Sequence, residues 1–386
     1  MALPVKLYDS NHIDEFNFNR DNTQHSQLIA AYFIPMMKLG SLPFIQNVNT
    51  QLYLLTAGNL TLPVTVNDLE LENCYVCSPY NHYITYTKVE LTNLKNPFLE
   101  TTIAHILDLL GIFAAQAQIN RVVIVNNLLL STNLYPPIST QEIQAITTFL
   151  CQKFPNHAIM FRSINTFVDN ELMHGFQTNN YHLIGSRQIY LFNPADKSLR
   201  RSKMRSRLKQ DTQLIHKHGY TVLDKSAITA EDIPRIVELY NLLYLEKYSY
   251  HNPQFTVEFI KLTLQNPAWC FQILKKDHRI DGVIGYYHVN NMMTTPILGY
   301  DTQLPQEIGL YRMLSALLTN TAKTEKMILH QSSGAASFKR LRGFLPNIEY
   351  SAVYISHLPW WRKIIWLILK LLVNKLAIPL MQKYKL

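Results

Sequence analysis

Glycine is scarce in this chain, at 12 of 386 residues. That scarcity disfavours glycine-rich nucleotide loops and β-rich repeat architectures. Cysteine is scarcer still: Cys74, Cys77, Cys151 and Cys270 are too few and too scattered for a disulfide framework. Cys74 and Cys77 form a C-x-x-C, but no second such pair and no Cys/His pair follows at zinc spacing. Because the pair sits in a strand-like context, the expectation is reduced, structural thiols in a cytoplasmic protein, with no metal. The opening residues, MALPVKLYDSNHIDEFNF, contain no apolar core of the secretory type.

What is present is a long, aromatic, basic chain. Its length exceeds one ordinary core, so two domains are the expectation. The 22 tyrosines and 17 phenylalanines exclude a disordered chain. A net charge of +9 favours anionic partners, whether phosphorylated cofactors, RNA or lipid headgroups, without choosing among them.

Periodicity gives the elements. Gln51 to Val66 reads as a hairpin turning at Ala57-Gly58-Asn59, and 73–78 and His82 to Lys88 as further strand. Pro97 opens a long helix ending near Ala117, followed by a buried strand at Arg121 to Val125. Thr140 caps a helix to Lys153, a strand follows at Ala158 to Arg162, and two strands close this half between Tyr181 and Phe192. Residues 197–209 then carry seven basic side chains and no acid. Thr229 and Asp232 give a capping-box pattern for a helix over 231–246, and a second helix follows over 254–265. A meander over 269–290, a strand at Pro296 to Gln303, a helix at Gln306 to Lys323 and strands at Lys326 to His330 and Tyr350 to Ile355 complete the second half. The order repeats between the halves, which points to an internally duplicated α/β fold. The predicted units are 1–195, 196–357 and a tail, 358–386.

In that tail Lys370, Asn374, Lys375 and Pro379 interrupt an otherwise apolar run. On a helical wheel Lys363, Lys370 and Asn374 share one side, while Ile364, Ile365, Leu367, Ile368, Leu371, Leu372 and Leu376 fill most of the rest. Trp360, Trp361 and Trp366 with Arg362 and Lys363 suit a headgroup-level anchor. An amphipathic helix on an anionic membrane surface is therefore expected, against a helix docked on the core or a true span.

Three segments resemble the GNAT acyltransferase superfamily, and more closely its tandem FemAB and BioF2-like members. They are the basic stretch 199–207, the strand-to-helix run Leu298 to Arg312, and His330-Gln-Ser-Ser-Gly-Ala-Ala-Ser-Phe-Lys-Arg-Leu-Arg-Gly343. The resemblance covers about 195 to 357 and implies tandem GNAT-like mixed sheets flanked by helices, plus the C-terminal amphipathic helix. It implies an acyl thioester donor, acyl-CoA or an acyl carrier protein, and an amine acceptor that is a small molecule or lipid-like. The first half then serves as a degenerate wall of the cleft. A splayed strand end at Leu298, Gly299 and Tyr300 would receive the pantetheine arm. Gln303, Gln306 and Gly309 would cradle the pyrophosphate at a helix N-terminus.

Amine acylation needs a base and a proton donor. By the resemblance Asp301 and Glu307 are the candidate carboxylates, His330 faces the same cleft, and Tyr311 or Tyr300 is an acid or a ring wall. Ser333, Gly334, Lys339 and Arg342 border the acceptor. No G-x-S-x-G or Cys-His pairing is present, so no acyl-enzyme is expected. Pro305-Gln-Glu-Ile-Gly309 lacks the family's full glycine pattern, as in FemAB-type relatives. An aminoacyl-tRNA-dependent transferase is accordingly the second reading and a non-catalytic scaffold the third. No aromatic-interleaved RNA signature accompanies the basic clusters, so nucleic acid is not favoured.

Overall fold

The computed structural model describes residues 3–16, 24–196 and 202–384. Residues 197–201 of the basic stretch lie outside the described residues. Twelve strands join in one sheet: β1 (Val5–Tyr8), β2 (Gln51–Ala57), β3 (Leu60–Asn67), β4 (Val122–Val125), β5 (Ala158–Asn165), β6 (His182–Phe192), β7 (Thr221–Asp224), β8 (Trp269–Lys276), β9 (Arg279–Val289), β10 (Met292–Tyr300), β11 (Ile328–His330) and β12 (Leu345–Tyr354). Helices of nine residues or more are α1 (Pro97–Gln116), α2 (Thr140–Lys153), α3 (Asn170–Thr178), α4 (Ser202–Lys217), α5 (Ile233–Asn241), α6 (Val257–Gln265), α7 (Leu310–Thr324) and α8 (Trp360–Leu372).

The spatial order, β1-β2-β3-β4-β5-β12-β6-β11-β10-β9-β8-β7, reads alike from both ends once β1 to β6 are matched in turn to β7 to β12. In each half four strands run antiparallel and a fifth joins parallel, β4 with β5 and β10 with β11. Parallel pairing needs a crossover helix, supplied by α2 in one half and α7 in the other. The sixth strands are exchanged: β12 lies on β5, and β6 lies on β11. This is the duplicated, mixed-sheet α/β architecture expected from the repeat of elements. The exchange welds both halves into one continuous sheet, with β6 and β12 adjacent at its centre.

Alternation decides the layers, because successive strand residues face opposite sides. Val122 and Ile124 of β4 join Ala158, Met160, Ile184 and Val353 on one face, under α1 and α8. Val123 and Val125 join Ile159, Phe161 and Ala352 on the other, under α2 and α3. One difference between the halves is a large insertion. β9 and β10 are linked by the two residues Asn290 and Asn291, whereas residues 68–121, with α1, are inserted between β3 and β4.

Several local expectations are corrected. His82 to Lys88 is helical, a π-turn at Asn81–Thr85 leading into Tyr86–Glu90, and 73–78 is a turn. The α2 cap is Ser139, whose hydroxyl accepts from Glu142 N–H while Glu142 bonds back. One strand, β6, spans the region expected to hold two. The helix expected from Gln306 begins at Leu310, after a short 3-10 turn and left-handed Gly309. Among the cysteines, Cys74 and Cys77 are free and buried, and burial pushes the Cys74 thiol up to about 12.

Candidate functional site

The strand exchange places charges where a sheet centre would normally be apolar. Arg187 of β6 and Glu349 of β12 are cross-strand partners. Arg187 Nε lies 2.8 Å from Glu349 Oε1, and Nη2 donates to Glu349 Oε2 at 3.3 Å, Ser131 O at 2.7 Å and Thr132 Oγ1 at 3.0 Å. Glu349 is buried; desolvation alone would raise its carboxyl, but Arg187 and then His330 hold it down at about 2. His330, at the end of β11, accepts from Ser332 N–H through Nδ1 at 3.2 Å. Its neutral tautomer therefore carries the proton on Nε2, which faces Glu349 Oε2 at 3.4 Å. Burial depresses the His330 pKa, so the ring is neutral beside an ionised Arg187–Glu349 pair.

Tyrosines from both halves surround this centre. From the inserted segment, Tyr75 and Tyr86 lie 5.3 Å apart and Tyr75 sits 5.7 Å from His82. From the second half, Tyr240 stacks on Tyr244 at 4.8 Å, and Tyr244 feels the charge of Arg187. Tyr300 and Tyr311 are 6.2 Å apart, and Tyr311 packs on Phe338 at 4.9 Å. Lys247 Nζ reaches Tyr300 Oη at 3.3 Å. Tyr86, Arg187, Tyr244 and Tyr311 are only half-buried, although their surroundings push the three phenols far above the ordinary range. Side chains deep in protein that still touch solvent border a cleft.

Glu90 stands at this cleft. Glu90 is exposed, yet the density of protein around it pushes the carboxyl up to about 7, against the pull of Arg187. A carboxylate poised near neutrality is suited to proton transfer.

The residues selected from sequence divide into two groups. Tyr300, Tyr311 and Arg342 come together, Arg342 lying 3.5 Å over the Phe338 ring and 2.5 Å from Asp211, which also takes Arg312 at 2.7 Å. Asp301 belongs to a separate ion-pair set: Arg235 lies at 2.7 Å and Arg279 at 3.5 Å, and it accepts from Gln303 N–H. Burial opposes ionisation there, but these cations depress the carboxyl, which makes Asp301 a weak base. Glu307, Gln303 and Gln306 are exposed, and Glu307 makes no ion pair among the described residues. Lys339 does not present a charge to an acceptor. It is buried, donates to Gln331 O at 2.5 Å, Ser332 O at 3.3 Å and Ser333 O at 2.8 Å, and burial lowers it to about 7. It closes the turn that ends at exposed Gly334.

The expected cofactor strand is open where a splay would be. β10 pairs with β11 only over Met292 to Thr294, and Thr295 to Tyr300 have no strand partner on that side. Leu298 is core. Gly299 admits α5: a Cβ there would lie 2.6 Å from Leu239 C and Tyr240 N. At the start of α7, Gly309 at φ +78° sits under Leu214 of α4, so α4 covers the glycine of the expected pyrophosphate cradle while Gln303 and Gln306 stay exposed.

Arg187, Glu349 and Glu90 were not selected from sequence. For Arg187 and Glu349 the available signal was a charge of each sign on strands that otherwise read as buried, since such residues are rarely enclosed unpaired; Glu90, at the end of a short helix, offered no such signal.

No family model matches the chain, and no curated protein does. Among solved structures it is similar to L-PGS from Bacillus licheniformis, at 13% identity over 61% of this chain and 78% of that one, with a TM-score of 0.44. It is similar to FemX at 8% identity, over 58% and 79% of the two chains, with a TM-score of 0.45. A probable N-acyltransferase from Enterococcus faecalis V583 matches 92% of this chain and 72% of its own at 9% identity, with a TM-score of 0.35.

Proposed function

We propose that this protein is an acyltransferase that moves an acyl or aminoacyl group onto an amine in the cleft between its halves. The observation that carries this reading is the Arg187–Glu349 pair at the centre of the exchanged sheet, bordered by half-buried tyrosines from both halves, with exposed Glu90, whose carboxyl its surroundings push up to about 7, as the candidate base. The acceptor ammonium loses a proton to the Glu90 carboxylate, and its lone pair attacks the donor carbonyl. The carbonyl carbon–amine bond forms as the bond to the leaving thiolate breaks, and the thiolate takes up the second proton shed by the acylated nitrogen. Cationic Arg187 stabilises negative charge in the cleft. The donor arm enters along the unpaired edge of β10, from Thr295 to Tyr300. An acyl-CoA or acyl carrier thioester is the first donor to test.

An aminoacyl-tRNA donor is favoured by one feature. Arg205, Lys209, His216 and Lys323 line a shallow hollow of about 400 Å³ between α4 and α7, a surface suited to phosphates. Steep salt dependence and RNase sensitivity of transfer would select this donor over a thioester.

The test is amine acylation by the full chain, followed with a panel of thioesters. Wild type should show a rate that rises with pH through about 7, as Glu90 loses its proton. Glu90→Gln should lower kcat by about 100-fold or more and abolish that pH step. A Glu90→Gln protein with wild-type turnover would refute the assignment.

A further inference from the structure

Two helices add to the duplicated sheet core, and both carry apolar faces that none of the described residues covers. α1 belongs to the segment inserted between β3 and β4, and α8 follows the last strand. They pack on the same sheet face, sharing one core with Val122, Ile124, Ile184 and Val353. Arg362 of α8 donates to Ala117 O at 3.1 Å and Gln118 O at 3.0 Å, just beyond the end of α1. Their outer sides therefore point away from the sheet together.

Those outer sides are apolar. On α1 they present Phe98, Ile106, Leu109, Ile112 and Phe113; from α8 onward, Trp360, Trp361, Ile364, Leu367, Ile368, Leu371 and Leu376. These are more than half of the large apolar side chains exposed among the described residues. Phe98 is 78% exposed and Trp360 76%.

The tail also inverts the usual arrangement of an amphipathic helix. Arg362 is buried, Lys370 sits 3.4 Å from His182, and Asn374 donates to Leu183 O at 2.9 Å and accepts from Gly185 N–H at 2.8 Å. Its inward polar groups satisfy edges of the protein, while hydrocarbon faces out. Trp366, expected as an interfacial anchor, is buried; Trp360 and Trp361 face out.

We propose that α1 and α8 form one platform that seats the protein on an anionic lipid bilayer, lying in the interface without crossing it. Both helices are long and apolar enough to span, Pro97–Gln116 and Trp360–Tyr384, but each has one face committed to the sheet. Charge selects the occupant. From Tyr350 to Leu386 there is no Asp or Glu and there are six Lys or Arg, with Lys375 and Lys383 exposed. Of the two acids on α1, Glu100 folds back to cap Asn96 N–H, and Asp108 pairs with Lys88 at 2.5 Å. An apolar plane rimmed by unopposed lysines is complementary to acidic headgroups above acyl chains.

The platform is independent of the transferase reading and is tested without activity. The full chain is floated with vesicles of phosphatidylcholine, with and without phosphatidylglycerol. Binding is expected only with phosphatidylglycerol, weakening as salt rises. Trp269 and Trp366 are already buried, so a blue shift of emission on vesicles reports Trp360 and Trp361. Leu109→Gln/Phe113→Gln on α1 and Ile364→Gln/Leu371→Gln on α8 should each weaken binding by about tenfold or more, with the thermal midpoint unchanged. Lys375→Gln and Lys383→Gln should each weaken it by about fivefold. The proposal falls if the chain does not float, if it floats equally on phosphatidylcholine alone, or if the α1 pair has no effect. It falls equally if the same substitutions instead abolish self-association of the chain in solution.

Discussion

Replacing Glu349 by glutamine removes the negative member of the pair at the centre of the sheet while keeping its shape. Arg187 would remain, mostly enclosed, with an amide in place of its carboxylate. Breaking one partner of a buried pair costs about 3–5 kcal/mol. A second route gives a similar size. The Glu349 carboxyl falls from 4.5 to about 2 in the fold, equivalent to about 3 kcal/mol. The sign follows from the depression: this stability is present above pH 4.5, where the unfolded carboxyl is ionised too, and drains away as pH falls toward 2. Between pH 7 and pH 3 this single group should account for about 2 kcal/mol of lost stability. Urea unfolding of wild type and Glu349→Gln at both pH values separates these effects. At pH 7 the variant should be less stable by about 3–5 kcal/mol, and the gap should narrow by about 2 kcal/mol at pH 3. Arg187→Met/Glu349→Met should recover much of the loss, because no charge is left buried. A variant within 1 kcal/mol of wild type at pH 7, or a gap that does not change with pH, would show that this pair does not hold the exchanged strands.

Acid should also act through imidazoles. Burial depresses His25 to about 4 and His82 to about 3, so the unfolded chain takes up protons below 6.5 that the fold refuses. Stability should therefore begin to fall below about pH 6.5, and His82→Asn should remove part of that slope in a thermal-midpoint titration. Gly299→Ala should destabilise by about 1–3 kcal/mol or more in urea, since the new methyl meets the α5 backbone and not a yielding side chain. Asn374→Ala strips the partners from Leu183 O and Gly185 N–H, and should cost about 1–3 kcal/mol while raising amide exchange along β6.

Local physics alone determined much of this chain. The hairpin read from Gln51 to Val66, the long helix opened by Pro97 and the strand read from Arg121 to Val125 follow from turn residues, capping and period, and each is present within one residue of those strand bounds. The repeated element order pointed to a duplicated α/β fold, and the wheel of the tail identified which of its residues share a side. The tertiary structure decided the rest. His82 to Lys88 alternates in a way that reads as strand, but it is a helix wedged with Tyr83 and Ile84 in the core and His82 and Tyr86 toward the cleft. Period fails where both sides of an element are occupied. The exchange of β6 and β12 is invisible to periodicity, because antiparallel strands of similar pattern can pair with either neighbour. That exchange is what joins Arg187, Glu349 and His330, which are far apart in sequence. The tail shows the same limit. Spacing groups Lys370 and Asn374 on one side of the helix, and only the free backbone groups of β6 determine that this side faces inward and the hydrocarbon faces out.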